Sequence, residues 1–197
     1  MSFSLKVFSR APISWPRVGR AVEFYTNNGF TPVETPWRVS VEVFRTTSPA
    51  SAVPLRCRLP PERPEILVGS AEQGLLTLMP TLSSGRYLSV SPCFRDGERD
   101  DLHFADFVKV ELCVVAPLNT GSSTMETLRV ARDFFLSEHL DTEVVTTDIG
   151  FDLEGHGVEV GSYGHRTATV DGVPVSWVYG TGLAEPRFSQ ALQRGPR

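Results

Sequence analysis

Residues 107–115 read Phe-Val-Lys-Val-Glu-Leu-Cys-Val-Val, with Val108, Val110, Leu112 and Val114 alternating against Lys109, Glu111 and Cys113. Period-two alternation marks a strand whose two faces meet different surroundings. Upstream, Tyr87, Leu88, Val90, Cys93 and Phe94 form a second strand, and the charged segment Asp-Gly-Glu-Arg-Asp-Asp at 96–101 lies between them. Two strands joined in this way predict a long antiparallel hairpin. A sheet grown from such a hairpin is mostly antiparallel and flanked by helices, which is an α+β fold and not a doubly wound one.

The remaining pattern fits that frame. Val18, Ala21, Val22 and Tyr25 share one helix face within 16–28, and Asn28-Gly29 stops the helix. Phe30, Pro32 and Val33 read as a short strand ended by Thr35-Pro36. Residues 47–64, rich in Pro and Ser, read as an irregular excursion. Residues 66–68 are a short apolar strand, and 75–79 an apolar turn or helix end. Ser123-Thr-Met-Glu126 has capping-box spacing, after which Met125, Leu128, Arg132 and Phe135 stack along a helix. Strands follow at 144–147, 149–153, 158–160 and 173–178. Gly180 to Pro186 then leads into a last short helix.

Composition removes several classes of function. The chain has 197 residues, expected to form one domain, with a net charge of −4 and a pI of about 5.6. That charge argues against broad electrostatic binding of nucleic acid. Cys57, Cys93 and Cys113 show no CxxC spacing, so neither a zinc site nor a disulfide scaffold is expected. No apolar run approaches the roughly 20 residues of a membrane span, and no signal peptide is apparent. These features together predict a cytoplasmic protein without a membrane partner.

Three constellations carry chemistry. First, Phe94-Arg95 ends a strand and is followed by His103, Phe107 and Glu111. This is either a solvated hairpin edge or an arginine facing an anion, beside an aromatic plane and a carboxylate on one strand face. Second, Glu159 and Ser162 lie in the glycine-spaced run 155–164. That run reads either as a bulged strand or as oxygen ligands for Mg²⁺ held against phosphates. Third, Gly180-Thr-Gly182 precedes Arg187 at a helix start, where a guanidinium is a surface charge or a partner for a purine ring or phosphate.

Taken in order, these segments resemble the three signature motifs of class II aminoacyl-tRNA synthetases. AVEFYTNNGFTPVETP with Pro36 looks like the first, SPCFRDGERDDLHFADFVKVEL like the second, and VSWVYGTGLAEPRFSQAL like the third. The resemblance covers roughly residues 16–193. The short loop with Asp100 and His103, and EVGSYG, look most like the phenylalanyl, pyrrolysyl and phosphoseryl branch. LVGSAEQ, KVELCV and GTGLA look like seryl-tRNA synthetase. One departure stands in the second motif: the family often places there a Glu that contacts the adenine amino group. Here that position is Gly97, and Glu98 or Asp96 would have to substitute for it.

The resemblance implies that an amino acid or small carboxylate is activated with ATP as an acyl-adenylate. Arg95 would hold the α-phosphate and the substrate carboxylate. Phe107 would stack on adenine, with Arg187 on the opposite face and Glu98 and His103 completing the nucleotide site. Glu159 and Ser162 would carry Mg²⁺. Ser70, Glu72, Glu111, Cys113, Gly161 and Gly164 would build the substrate pocket, with Glu72 or Glu111 receiving an ammonium and the glycines leaving room. The acceptor would be tRNA, a carrier protein or a small amine. No anticodon-binding domain is expected within these 197 residues. A homodimer formed around the first motif is also implied. The competing expectation is a catalytically silent paralog acting as a regulatory or adaptor subunit. Gly97 favours that alternative slightly, while retention of Arg95, Phe107, Glu159 and Arg187 favours an enzyme more.

Overall fold

The computed structural model describes residues 12–55, 65–96 and 102–195. Gly97, Glu98, Asp100 and Cys57 lie outside them. A seven-stranded sheet runs in the order β1 (Thr31–Pro32), β4 (Gly85–Phe94), β5 (Asp106–Val115), β9 (Val173–Glu185), β8 (Val158–Val170), β7 (Gly150–Gly155) and β6 (Glu143–Thr147). The β1–β4 pair is parallel, and every other pair in this sheet is antiparallel. A second, two-stranded sheet pairs β2 (Arg38–Ser40) with β3 (Glu65–Leu67). The helices are α1 (Trp15–Asn27), α2 (Val41–Thr47), α3 (Ala71–Leu78), α4 (Thr120–Ser137) and α5 (Arg187–Arg194). The expected α+β fold, with its hairpin at β4–β5, is the fold observed. Among the described residues, no helix is long and apolar enough to cross a membrane.

The alternation in β5 sorts two cores. Val108, Val110 and Leu112 pack with Tyr25 of α1, Phe134 and Phe135 of α4, and Phe188 of α5. On the opposite face Cys113 and Val115 join Phe44 of α2, Leu75 and Leu76 of α3, and Trp177 and Tyr179 of β9. Nearer the hairpin end, Phe107 and Lys109 on this second face line a cavity instead.

Local departures from the sequence reading have physical causes. The N-cap of α4 is Asn119, whose side chain accepts a hydrogen bond from the Ser122 amide at 3.0 Å. The helix therefore starts a turn before the capping-box spacing indicates, and Met125 faces solvent. Residues 180–185 continue β9 and do not break it, so α5 begins directly after Pro186. Gly180 and Gly182 sit inside this strand because neighbouring layers press on it. A Cβ at Gly180 would come within 2.8 Å of Thr127 and Tyr163, and one at Gly182 within 2.8 Å of the Tyr25 ring. Tyr25 Oη also donates to the Gly182 carbonyl at 2.7 Å. The β5–β9 register shifts beside Glu111, which pairs with Thr181 while Val110 pairs with Leu183.

Candidate functional site

A cavity of about 440 Å³ opens on the second face of the sheet, walled by Arg95, His103, Phe107, Glu159, Ser162 and Arg187 among others. Three separate parts of the chain reach it: the β4–β5 hairpin, the start of β8 and the β9–α5 junction. The hairpin is closed beneath it by Arg95 N donating to the Ala105 carbonyl at 2.8 Å. Arg95 Nε donates to the Gly69 carbonyl at 2.8 Å, and its guanidinium carbon lies 4.9 Å from the centroid of the Phe107 ring. One donor is thereby spent on backbone, and among the described residues no hydrogen bond engages the rest of the fork.

Arg187 approaches from the opposite wall. Its Nη1 donates to Glu159 Oε1 and its Nε to the Leu102 carbonyl, both at 3.4 Å. Ser162 lies near Glu159 on β8, and its amide donates to Thr181 Oγ1 at 3.4 Å. A carboxylate and a hydroxyl on one cavity wall fit a hard cation whose other ligands are phosphate oxygens and water. Among the described residues, no group of three or more His, Cys, Asp or Glu side chains could hold a metal by itself.

Below the cavity floor the two candidate ammonium receptors differ. Both oxygens of Glu72 are occupied, one by Arg166 Nη1 and the other by Trp177 Nε1 at 2.8 Å. Glu111 is fully buried. Its Oε2 pairs with Lys109 Nζ at 2.7 Å and accepts from Ser70 Oγ at 3.4 Å, while Oε1 has no partner. Burial pushes the Glu111 carboxyl up to about 7, helped by the nearby Glu72 charge and opposed by Lys109.

This shift has a consequence for stability. A carboxyl raised in the folded state contributes stability that is fully present below its ordinary value of 4.5 and is lost as pH climbs to about 7. Glu111→Gln removes that loss. The melting temperature of the variant, measured against the parent chain, therefore rises from pH 4.5 to about 7 and levels off above.

The other expected substrate residues do not all open onto this space. Gly161 lines the cavity, but a Cβ there would meet Tyr163 Oη at 2.5 Å. A Cβ at Gly164 would meet Tyr179 Oη at 2.6 Å. The room expected above these glycines is filled by tyrosines. Cys113 is 1% exposed and packs with the α2 and α3 side chains, and burial raises its thiol well above the usual range. Ser70 caps α3, accepting from the Glu72 amide at 3.4 Å. Lys109, Thr181 and Glu185 also line the cavity and were not singled out in the sequence. Strand parity points to Lys109, which lies between Phe107 and Glu111 on the same face. Thr181 and Glu185 carried no comparable signal.

No family model matches the chain, and no curated protein matches it in sequence. Solved structures do match. A seryl-tRNA synthetase from Pyrococcus horikoshii, complexed with ATP, superposes with a TM-score of 0.71 at 21% identity, covering 90% of this chain and 49% of that one. A cytoplasmic serine-tRNA ligase from Naegleria fowleri, in complex with AMP, gives 0.70 at 16% identity over 86% of this chain and 51% of that one. The pyrrolysyl-tRNA synthetase PylSc of Desulfitobacterium hafniense gives 0.70 at 16% identity, covering 90% and 68%. The chain thus spans about half the length of the two seryl structures. Its fold is that of the class II synthetase catalytic core, as the three sequence motifs led one to expect.

Proposed function

We propose that the chain uses ATP to activate the carboxylate of a small amino acid or related acid as an acyl-adenylate. The observation that carries this reading is the convergence of Arg95, Phe107, Glu159, Ser162 and Arg187 on one cavity from three separate chain segments. The two seryl structures of like fold hold ATP and AMP. A substrate carboxylate oxygen attacks the α-phosphorus, a new P–O bond forms, and the bond to pyrophosphate breaks. The nucleophile is already ionised and pyrophosphate is a good leaving group, so the site has to position and neutralise charge more than move protons.

In this reading Arg95 holds the α-phosphate and the carboxylate. Phe107 lies under adenine and Arg187 over it, exchanging its long contact with Glu159 for the ring. His103 and Glu98 complete the nucleotide site. Glu159 and Ser162 would hold Mg²⁺, which would supply charge neutralisation at the phosphates. The substrate ammonium goes to Glu111, whose buried Oε1 has no hydrogen-bond partner, and not to Glu72, whose oxygens are both taken. The side chain has little room, because Tyr163 and Tyr179 fill the space above Gly161 and Gly164. Gly161 and Thr181 then border the substrate. The acceptor is a tRNA, as for the synthetases of like fold, or a carrier protein or small amine. A homodimer through α1 is part of the same reading, and light scattering showing a monomer at micromolar concentration would count against it.

Trapping tests the chemistry. With ATP, Mg²⁺ and the right acid, hydroxylamine intercepts the adenylate as a hydroxamate and one pyrophosphate is released per trap. A panel of small amino acids that yields no hydroxamate contradicts the reading. Phe107→Ala is expected to weaken ATP binding about 10- to 100-fold by calorimetry, since stacking a base on an aromatic ring contributes roughly 1–3 kcal/mol.

A further inference from the structure

Arg187 stands on the first turn of α5, and what fixes that turn lies behind it. Arg17 of α1 sends Nη1 to the Glu185 carboxylate and to Ser189 Oγ, the latter at 2.8 Å. Its Nε donates to Glu138 Oε2 at 3.1 Å, and its guanidinium lies 5.1 Å from the centroid of the Phe188 ring. Glu185 is fully buried, and its second oxygen accepts from the Ser189 amide at 3.3 Å. Glu185, Phe188 and Ser189 bracket Arg187 in sequence, and one cation touches all three. The Arg17 side chain is only 14% exposed, so its ion pair with Glu185 is poorly screened. Arg187 itself faces the cavity through contacts of 3.4 Å, too long to fix its own backbone.

We propose that Arg17 is a positioning residue for the nucleotide site: it clamps the β9–α5 junction from outside the cavity and so sets where the Arg187 guanidinium points. The inference rests on the reading of Arg187 as a nucleotide contact. Arg17 is not among the residues that wall the cavity, and of its partners among the described residues only Glu185 is.

Two readouts on the full chain test it, with Arg20→Ala as the control. Arg20 pairs with the same Glu138 at 2.6 Å but is 52% exposed and does not reach α5. In Arg17→Ala the Ser189 and Gln190 amides should lose hydrogen-exchange protection about tenfold or more while β5 and β9 keep theirs. The dissociation constant for ATP, by calorimetry, should rise about tenfold. Arg17→Lys, which restores a cation beside Glu185, should recover part of both losses, and Arg20→Ala should leave both unchanged. Should Arg17→Ala fail to fold, Arg17→Lys and Ser189→Ala give the same comparison at smaller amplitude. Unchanged α5 protection in the Arg17 variants overturns the clamp. Loosened α5 amides with unaltered ATP affinity overturn its link to the site. A parent chain that binds no ATP overturns the nucleotide reading, and the exchange result then judges the clamp by itself.

Discussion

Arg95→Ala is expected to lower the rate of adenylate formation on the order of 10²–10³-fold, the usual cost of one preorganised donor to developing charge. The side chain is held for this task before any ligand arrives. Its Nε is fixed on the Gly69 carbonyl, its guanidinium rests beside Phe107 and the residue lines the cavity, so little further ordering is needed when a ligand binds. Arg95→Lys should recover little, because an ammonium cannot reproduce the fork or the stacking. The loss should fall mainly on kcat, since the α-phosphate gains charge in the transition state. Single-turnover pyrophosphate release measures it, and a loss confined to KM would show that Arg95 only binds.

Arg166→Ala is expected to cost the fold about 3 kcal/mol or more, because it strips one partner from a buried carboxylate and leaves the charge uncompensated. Glu72 sits 5% exposed on the first turn of α3, and Arg166 crosses from β8 to meet it while stacking 4.3 Å from the Tyr179 ring. For a domain of this size the melting temperature should drop by roughly 6–12 °C. Glu72→Gln combined with Arg166→Met removes both charges, and should be less harmful than Arg166→Ala alone. Such a pattern assigns Glu72 to structure. A small effect of Arg166→Ala on melting with a large one on amino acid binding would instead place Glu72 at the substrate.

The hairpin was legible because β5 separates two environments so cleanly. Its even residues meet three helices, and its odd ones meet α2, α3 and the cavity. The start of α4 was misplaced because Ser123 and Glu126 imitate a cap, whereas the Asn119 side chain is the one bonded to a free amide. The seven-residue α2 is too short to show a full apolar period, and the glycines of β9 looked like a junction. Whether a glycine ends a strand or makes way for a packed tyrosine depends on the neighbouring layer, which no local window contains. The cavity-lining set from Arg95 to Arg187 came from resemblance in motif order. The partners that decide how Glu72 and Glu111 behave did not, since the Glu72–Arg166 contact spans 94 positions. Likewise, the filling of the space above Gly161 and Gly164 depends on where Tyr163 and Tyr179 turn, and composition is silent on that.

Amino-acid-dependent exchange of labelled pyrophosphate into ATP tests the central claim most directly. With Mg²⁺ and a panel of amino acids, at least one with a small side chain should drive exchange, and Arg95→Ala should slow that exchange on the order of 10²–10³-fold without unfolding the chain. No exchange with any member of the panel, together with no ATP binding by calorimetry, would contradict the claim.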